Sequence, residues 1–360
     1  MMRPALHVVA MPHTQVTEEF STCAYTAKIQ KFCTMMHRAG WTVFLYSGEE
    51  SSAECTEHIP LFTEAERRKK FGPWNPEQCP NVEWGPQFEH WRNMNARAVR
   101  QIAARMQPRD MLCLVAGHSQ ETIAHALPEL LPVEWAVGYE GVHFRHRVFE
   151  SHAWMHHVYG LKGQRDGSPA DAVIPNFFDA AQFPEMPKAR EKYLLFIGRV
   201  VKRKGPQLAA EIARRAGMPL VIAGPGVLRN GHGRIEAAEI TIEGAHVNYA
   251  GVVGPKERAK LMAGAAATIV PTLYIEPFGG VAVESMMAGT PVLATDWGAF
   301  PETVIPGVSG ARFRTIEEAV PALRAAMAIP SIIVRRHANA TYGFAPIAAR
   351  FAAYFNGLIF

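Results

Sequence analysis

The chain is predicted to be of the α/β class, with two domains that each carry a parallel sheet wrapped by helices. Three observations lead there. Short apolar runs alternate with helical patterns along both halves. The runs at 193–197, 220–223, 265–271 and 290–295 carry almost no charge, as expected of strands buried on both faces, and each leads into a turn and a helix. The length of 360 residues, with 48% hydrophobic content, suffices for two domains of ordinary size.

Taken in order, 6–11 reads as the first strand, 23–39 as a helix closed by Gly40, and 41–46 as the next strand. Residues 51–90 are punctuated by Pro60, Pro73, Pro76, Pro80 and Pro86 and read as an irregular insertion over one face. A helix at 91–106 and a strand at 110–116 follow. Gly117-His118-Ser119-Gln120 then turns into a helix reaching Leu127, and 135–139 is a further strand. Residues 182–190, with Pro184 and Pro187, read as a linker, and the tail 341–360 is amphipathic and aromatic-rich. The expected division is 1–181, 191–335 and a C-terminal helix within 336–360.

Composition excludes several classes. No run of 18 apolar residues suggests a membrane span, and no charged segment followed by a long apolar one suggests secretion. The five cysteines (Cys23, Cys33, Cys55, Cys79, Cys113) are odd in number and form no Cys-x-x-Cys pair, so a reduced, cytoplasmic protein with free thiols is expected. The net charge of +4 is uneven. Residues 1–175 carry 17 Lys+Arg against 19 Asp+Glu, and the remainder 20 against 14, so the second half is the one suited to an anionic ligand.

Two motifs in that half carry chemistry. In Leu273-Tyr-Ile-Glu276-Pro-Phe-Gly-Gly-Val-Ala-Val-Glu284, the first carboxylate lies in a strand-to-helix loop and the second lies one to two turns into the helix. Gly279 and Gly280 stand at the helix start, where backbone N–H groups and the macrodipole attract an anion. In Tyr193-Leu-Leu-Phe-Ile-Gly198-Arg199-Val-Val-Lys202-Arg203-Lys204-Gly205, four cations crowd a turn that follows an apolar strand. Arg199 offers a fork and Lys204 a point charge to one diphosphate.

Together these motifs, with Gly251-Val-Val-Gly254 and Gly298-Ala-Phe-Pro301-Glu302, resemble the retaining glycosyltransferases of the GT-B fold, family 4 in particular, over about residues 190–315. The resemblance implies two Rossmann-like domains facing a central cleft, with the last helix returning to the first domain. It implies a hexose donor of the nucleotide-diphosphate type, UDP-glucose favoured, and a hydroxyl acceptor. It assigns the diphosphate to Arg199 and Lys204, the sugar hydroxyls to Glu276 and the ribose to Glu284. Gly198, Gly251, Val252, Phe278, Gly279 and Gly280 would line the nucleotide, and neither metal nor cofactor is required, since Arg and Lys replace the ion.

In the first half, three loops at expected strand ends hold candidates: His13 and Thr14, then His118, then Glu140. The family carries a glycine-rich turn at the first of these, and this chain has none. His118 would take the place of the family's histidine beside the donor carbon. Glu140, between Gly138 and Gly141, is the general-base candidate. Twelve of the fifteen histidines fall in 1–175; His152 and His156 have metal-pair spacing, but a polar cleft wall accounts for them as well.

The segments Pro12-His-Thr-Gln and Arg147-Val-Phe-Glu-Ser151 are similar to glycosyltransferases of tailed phages, which implies hydroxymethylated pyrimidine in DNA as an alternative acceptor to a glycan or lipid. The run 88–109, with Trp91, Arg92, Arg97, Arg100 and Arg105, could follow a phosphate backbone, but an amphipathic helix with an exposed basic face is the preferred reading. A sugar-nucleotide epimerase and a non-catalytic sugar-binding module are the readings from other classes. The oligomeric state stays open.

Overall fold

The computed structural model describes residues 3–77, 80–231 and 233–359, the last by its backbone. Cys79 lies outside the described residues. The chain forms two units. The first takes in the chain up to Glu150, then Met155–Phe177 and the C-terminal helix; the second takes in Ser151–Trp154 and Phe178–Gly343.

The first unit runs β1 (Leu6–Val9), α1 (Ala24–Arg38), β2 (Val43–Gly48), β3 (Glu57–Phe62), α2 (Glu64–Phe71), α3 (Glu89–Ala103), β4 (Met111–Leu114), α4 (Glu121–Ala126), β5 (Leu131–Val137), β6 (His146–Phe149), α5 (His152–Leu161, which counts here from Met155) and β7 (Asp171–Val173). Its seven strands lie in the order β3-β2-β1-β4-β5-β6-β7 and every pair is parallel. Leu6, Val8, Leu45, Leu112 and Leu114 are fully buried, which is why these strands read as unbroken apolar runs. The strand order reverses between β1 and β4, and ligands of such sheets bind beyond the strand ends at that point.

Two expectations for this unit are corrected. Residues 51–90 are not irregular throughout, because β3 and α2 lie within them. Pro60 sits in β3, an edge strand, where the missing N–H is tolerated. Thr63 and Glu66 form a capping box that starts α2. The strand expected at 135–139 begins at Leu131, and its register shifts between Glu134 and Val137, where Ala136 takes a φ of +53°. A non-glycine residue there stores backbone strain beside the loop that follows.

The C-terminal helix, Phe344–Ile359, completes the first unit. Phe351 meets Phe32 edge-on at 5.1 Å, and Phe355 meets Trp41 at 5.5 Å. Phe32 in turn stacks on Trp135 at 4.1 Å.

The second unit runs β8 (Leu194–Ile197), α6 (Pro206–Ala216), β9 (Leu220–Ala223), β10 (Val227–Gly231), β11 (Arg234–Ala237), β12 (Thr241–Glu243), β13 (Val247–Tyr249), α7 (Pro255–Gly264), β14 (Ala267–Val270), α8 (Gly280–Met287), β15 (Val292–Thr295), α9 (Phe300–Thr303), β16 (Gly310–Phe313), α10 (Ile316–Met327) and α11 (Ser331–Tyr342). Six parallel strands lie in the order β13-β9-β8-β14-β15-β16, so the order reverses between β8 and β14. β10, β11 and β12 make a separate antiparallel sheet, an excursion the sequence did not signal. Among the described residues, no helix is long and apolar enough to cross a membrane.

The boundaries shift slightly from those expected. The second unit begins at Phe178 and keeps its chain to Gly343. Residues 336–342 stay with it because Ala338 and Tyr342 are buried in one core with Phe278, whose ring lies 5.9 Å from Tyr342. Phe278 is 2% exposed and stacks at 6.4 Å on Phe178. Its side chain is therefore part of that core. Phe278→Ala should cost about 3–5 kcal/mol in urea unfolding, the usual loss for a buried aromatic. A change below about 1 kcal/mol would show that the site collapses around the missing ring.

Candidate active site

In the second unit the two motifs meet at the switch point between β8 and β14. Lys202–Lys204 form a single 3-10 turn that ends at Gly205, whose φ is +72°. Gly205 lies against the end of β14 so tightly that an added Cβ would stand 2.1 Å from the carbonyl oxygen of Pro271. The N–H of Leu273 donates to the carbonyl of Arg203 at 2.8 Å, which ties the turn to the next loop. Only glycine permits both the dihedral and the contact.

The Lys204 ammonium donates to Glu276 Oε2 at 2.7 Å and to the Tyr274 hydroxyl oxygen at 2.9 Å. Glu276 is 9% exposed. The Tyr274 ring lies under two cations, 4.9 Å from Lys204 Nζ and 5.2 Å from the Arg203 guanidinium. Burial, and next the charge of Glu276, push the Tyr274 phenol well above its usual range. Arg199 is exposed on the same turn, and its charge acts on Tyr274 in the opposite direction. Two expected site residues, Lys204 and Glu276, are thus bonded to each other, and Tyr274, given no role in the sequence reading, joins them.

The Glu276 loop is held from behind. The N–H of Ala299 donates to the Glu276 carbonyl at 3.0 Å, and Ser151 Oγ donates to the Pro277 carbonyl at 2.7 Å. Gly298, at φ +60°, packs where an added Cβ would stand 2.6 Å from the Glu276 nitrogen. Gly279, at φ +78°, precedes α8, which starts at Gly280 with no acidic side chain in its first turn. That start suits an anion.

Glu284, one turn into α8, is not alone. Arg258 of α7 places Nε 3.2 Å from Oε2 and Nη2 3.3 Å from Oε1, a fork on a carboxylate. Gly198, Gly224 and Gly251 converge at the ends of β8, β9 and β13. The N–H of Gly198 donates to Ala223, that of Gly224 donates to Gly251, and the Tyr249 hydroxyl donates to the Gly224 carbonyl. Val252 follows, half-buried.

In the first unit the loop after β1 is filled by its own side chains. Thr14 is fully buried with its hydroxyl 2.6 Å from that of Thr26, and Gln15, also fully buried, donates to Glu64 Oε2 at 2.9 Å. His13 is 5% exposed, and burial, then the charges of His90 and Arg67, lower its imidazole to about 4. The side chains of His13 and Thr14 are thus both buried within this loop. Gln120 closes the switch point: its Oε1 accepts from the N–H of Val115 and Ala116 at 3.0 Å, and its Nε2 donates to the carbonyls of Val9 and Ala10.

His118 stands exposed on the loop after β4, its Nδ1 2.8 Å from Glu121 Oε2. Glu140 is exposed, with His157 Nε2 at 3.5 Å. Glu134, an acid within the apolar β5, is fully buried and accepts from the N–H groups of His143 and Phe144 and from the Tyr139 hydroxyl. An isolated acid in a strand-like run was the available signal for it. Most of the run 88–109 forms the amphipathic helix α3, with Arg92 and Arg100 exposed on it. Trp91 is fully buried, Arg97 donates two hydrogen bonds to the Glu66 carboxylate, and Arg105 pairs with Glu57.

Residues 178–336 match the family model of the glycosyl transferases, group 1. The glycogen synthase of Mycobacterium tuberculosis is 31% identical over 174 residues, 46% of this chain and 41% of that protein. A glycosyltransferase involved in avilamycin A biosynthesis shares the architecture at a TM-score of 0.65 and 21% identity, covering 99% of this chain and 98% of the other. The fold is GT-B. A second GT-B-like structure, Anabaena HepE in complex with UDP-glucose, aligns at a TM-score of 0.62 and 14% identity over 99% and 100% of the two chains. The chain spans about 31% to 41% of the length of the first curated relatives it matches.

The Lys204–Glu276 bond makes a stability prediction. Lys204→Ala leaves a carboxylate of 12% side-chain exposure without its ammonium, which should cost about 1–3 kcal/mol. Adding Glu276→Gln should recover most of that loss in a double-mutant cycle read by urea unfolding. Simple additivity of the two changes would mean that the bond contributes nothing.

Proposed function

We propose that the chain is a retaining glycosyltransferase moving a hexose from a nucleotide-diphosphate sugar, UDP-glucose in type, to a hydroxyl acceptor such as a glycan or a lipid-linked sugar. The observation that carries this is the junction of the basic turn with the Glu276 loop at the β8–β14 switch point, with Lys204 and Glu276 at 2.7 Å. The group 1 match over the same residues, and the UDP-glucose complex of one structural neighbour, support it.

In this reading Arg199 and Lys204 neutralise the charge that grows on the departing diphosphate. The start of α8 at Gly279 and Gly280 receives a phosphate oxygen. An incoming diphosphate competes for the Lys204 ammonium and releases Glu276 to accept from sugar hydroxyls. Glu284, oriented by Arg258, takes the ribose, and Gly251 and Val252 lie along the base. The sugar leaves and the acceptor arrives on one face of the sugar ring; Glu140 is assigned as base and His118 takes the part of the family's histidine. Two cations on one turn supply the charge that a divalent ion supplies elsewhere, so no metal and no cofactor enter the step. The free thiols of Cys23, Cys33, Cys55 and Cys113 support a reducing, cytoplasmic setting.

Release of UDP from UDP-glucose, with and without acceptors, tests the class. Arg199→Ala should lower turnover by about 10²-fold, the scale of one lost transition-state charge contact. Full turnover in that variant would remove Arg199 from the mechanism. In calorimetry with free UDP, Glu284→Ala should weaken binding by at least about tenfold and Glu276→Ala much less. Equal effects would contradict the ribose and sugar assignments. Activity should also survive a strong chelator, and abolition with rescue by manganese would overturn the metal-free step.

A further inference from the structure

The first unit holds a group of side chains that the proposed transfer does not use as a set. His118 Nδ1 and His143 Nε2 lie 2.8 Å and 3.2 Å from the same oxygen, Glu121 Oε2. The ligand atoms of these three residues all lie within 4.8 Å of one another. Bonds of about 2.0 Å at tetrahedral angles put ligand atoms about 3.3 Å apart, so the group needs only small side-chain rotations to surround an ion. His125 stands one turn after Glu121 on α4, its ring centroid 6.4 Å from that of His143.

The two loops that carry these residues are fastened to each other. Glu134, fully buried, accepts from the N–H of His143 at 2.8 Å and of Phe144 at 2.9 Å, and from the Tyr139 hydroxyl at 2.6 Å. Gly117, at φ +49°, abuts both partners: an added Cβ would stand 2.5 Å from the Gly141 carbonyl oxygen and 2.9 Å from Glu134 Oε1. A buried carboxylate therefore sets the spacing between the His118 loop and the His143 loop. Outer support of this kind separates a built metal site from a chance meeting of surface histidines.

We propose that His118, Glu121 and His143 bind a divalent transition-metal ion of the zinc class. Two imidazoles and one carboxylate favour zinc over magnesium or calcium, which take oxygen sets. The His118 side chain is 57% exposed, which leaves the outer side open to water or to His125 as a fourth ligand. The three ligands include no residue of the basic turn, and binding there does not depend on the activity proposed above. If the transferase reading holds as well, bound zinc occupies His118 and withdraws it from the reaction.

Calorimetric titration of the metal-free protein with zinc chloride should give one ion per chain. Glu121→Gln, which keeps the side-chain shape, and His143→Ala should each weaken binding by at least about tenfold, while His156→Ala should leave it unchanged. Cobalt(II) in the same site should show visible ligand-field bands without a thiolate charge-transfer band, which excludes the free cysteines as ligands. Absence of zinc binding, binding unaltered by Glu121→Gln and His143→Ala, or a thiolate band would each overturn the site. Because every readout is binding, failure here leaves the transferase reading intact, and failure of UDP release leaves this one intact.

Discussion

A parallel sheet sends successive connections to one side, so neighbouring loops at its strand ends are divided by the helices they lead into. They separate to leave a crevice only where the strand order reverses. In the second unit that constraint falls between β8 and β14, and nearly everything of chemical interest there depends on it. The turn after β8 supplies the cations and the loop after β14 supplies the carboxylate. The bond from Lys204 to Glu276 joins segments 72 positions apart.

The glycines around that bond act through distance more than through flexibility. Gly205 brings the basic turn against Pro271, and Gly298 brings the supporting loop against the Glu276 nitrogen. A methyl group at either place would drive the two loops apart. The loops that carry the charged side chains are therefore positioned by backbone contacts that carry no charge.

The first unit reaches its own switch point differently. Buried side chains fill the loop after β1, and Gln120 bridges the ends of β1 and β4. A glycine-rich turn would have left backbone N–H groups bare for a phosphate. Here the side chains of Thr14 and Gln15 are spent on internal bonds, and the chemically available groups move outward to His118, Glu121, Glu140 and His143. Glu134 underneath sets where those loops stand.

The sequence by itself determined the class, the parallel sheets and both chemical motifs of the second half. Strands buried on two faces must be apolar, and α6 and α7 begin at Pro206 and Pro255, so β8, β14 and these helices were legible from local pattern. β3 was hidden because Pro60 argues against a strand unless the strand is known to be an edge, and edge position is a property of the assembled sheet. The capping box at Thr63 was a local signal for α2 and was there to be read. Only the tertiary structure decided which side of its backbone Phe278 occupies. It likewise decided that Lys204 meets Glu276, that Arg258 meets Glu284, and that His118 and His143 share one oxygen of Glu121. Each of these joins residues through the packing of separate elements. Packing depends on the volumes of the whole core, which no window of neighbouring residues contains.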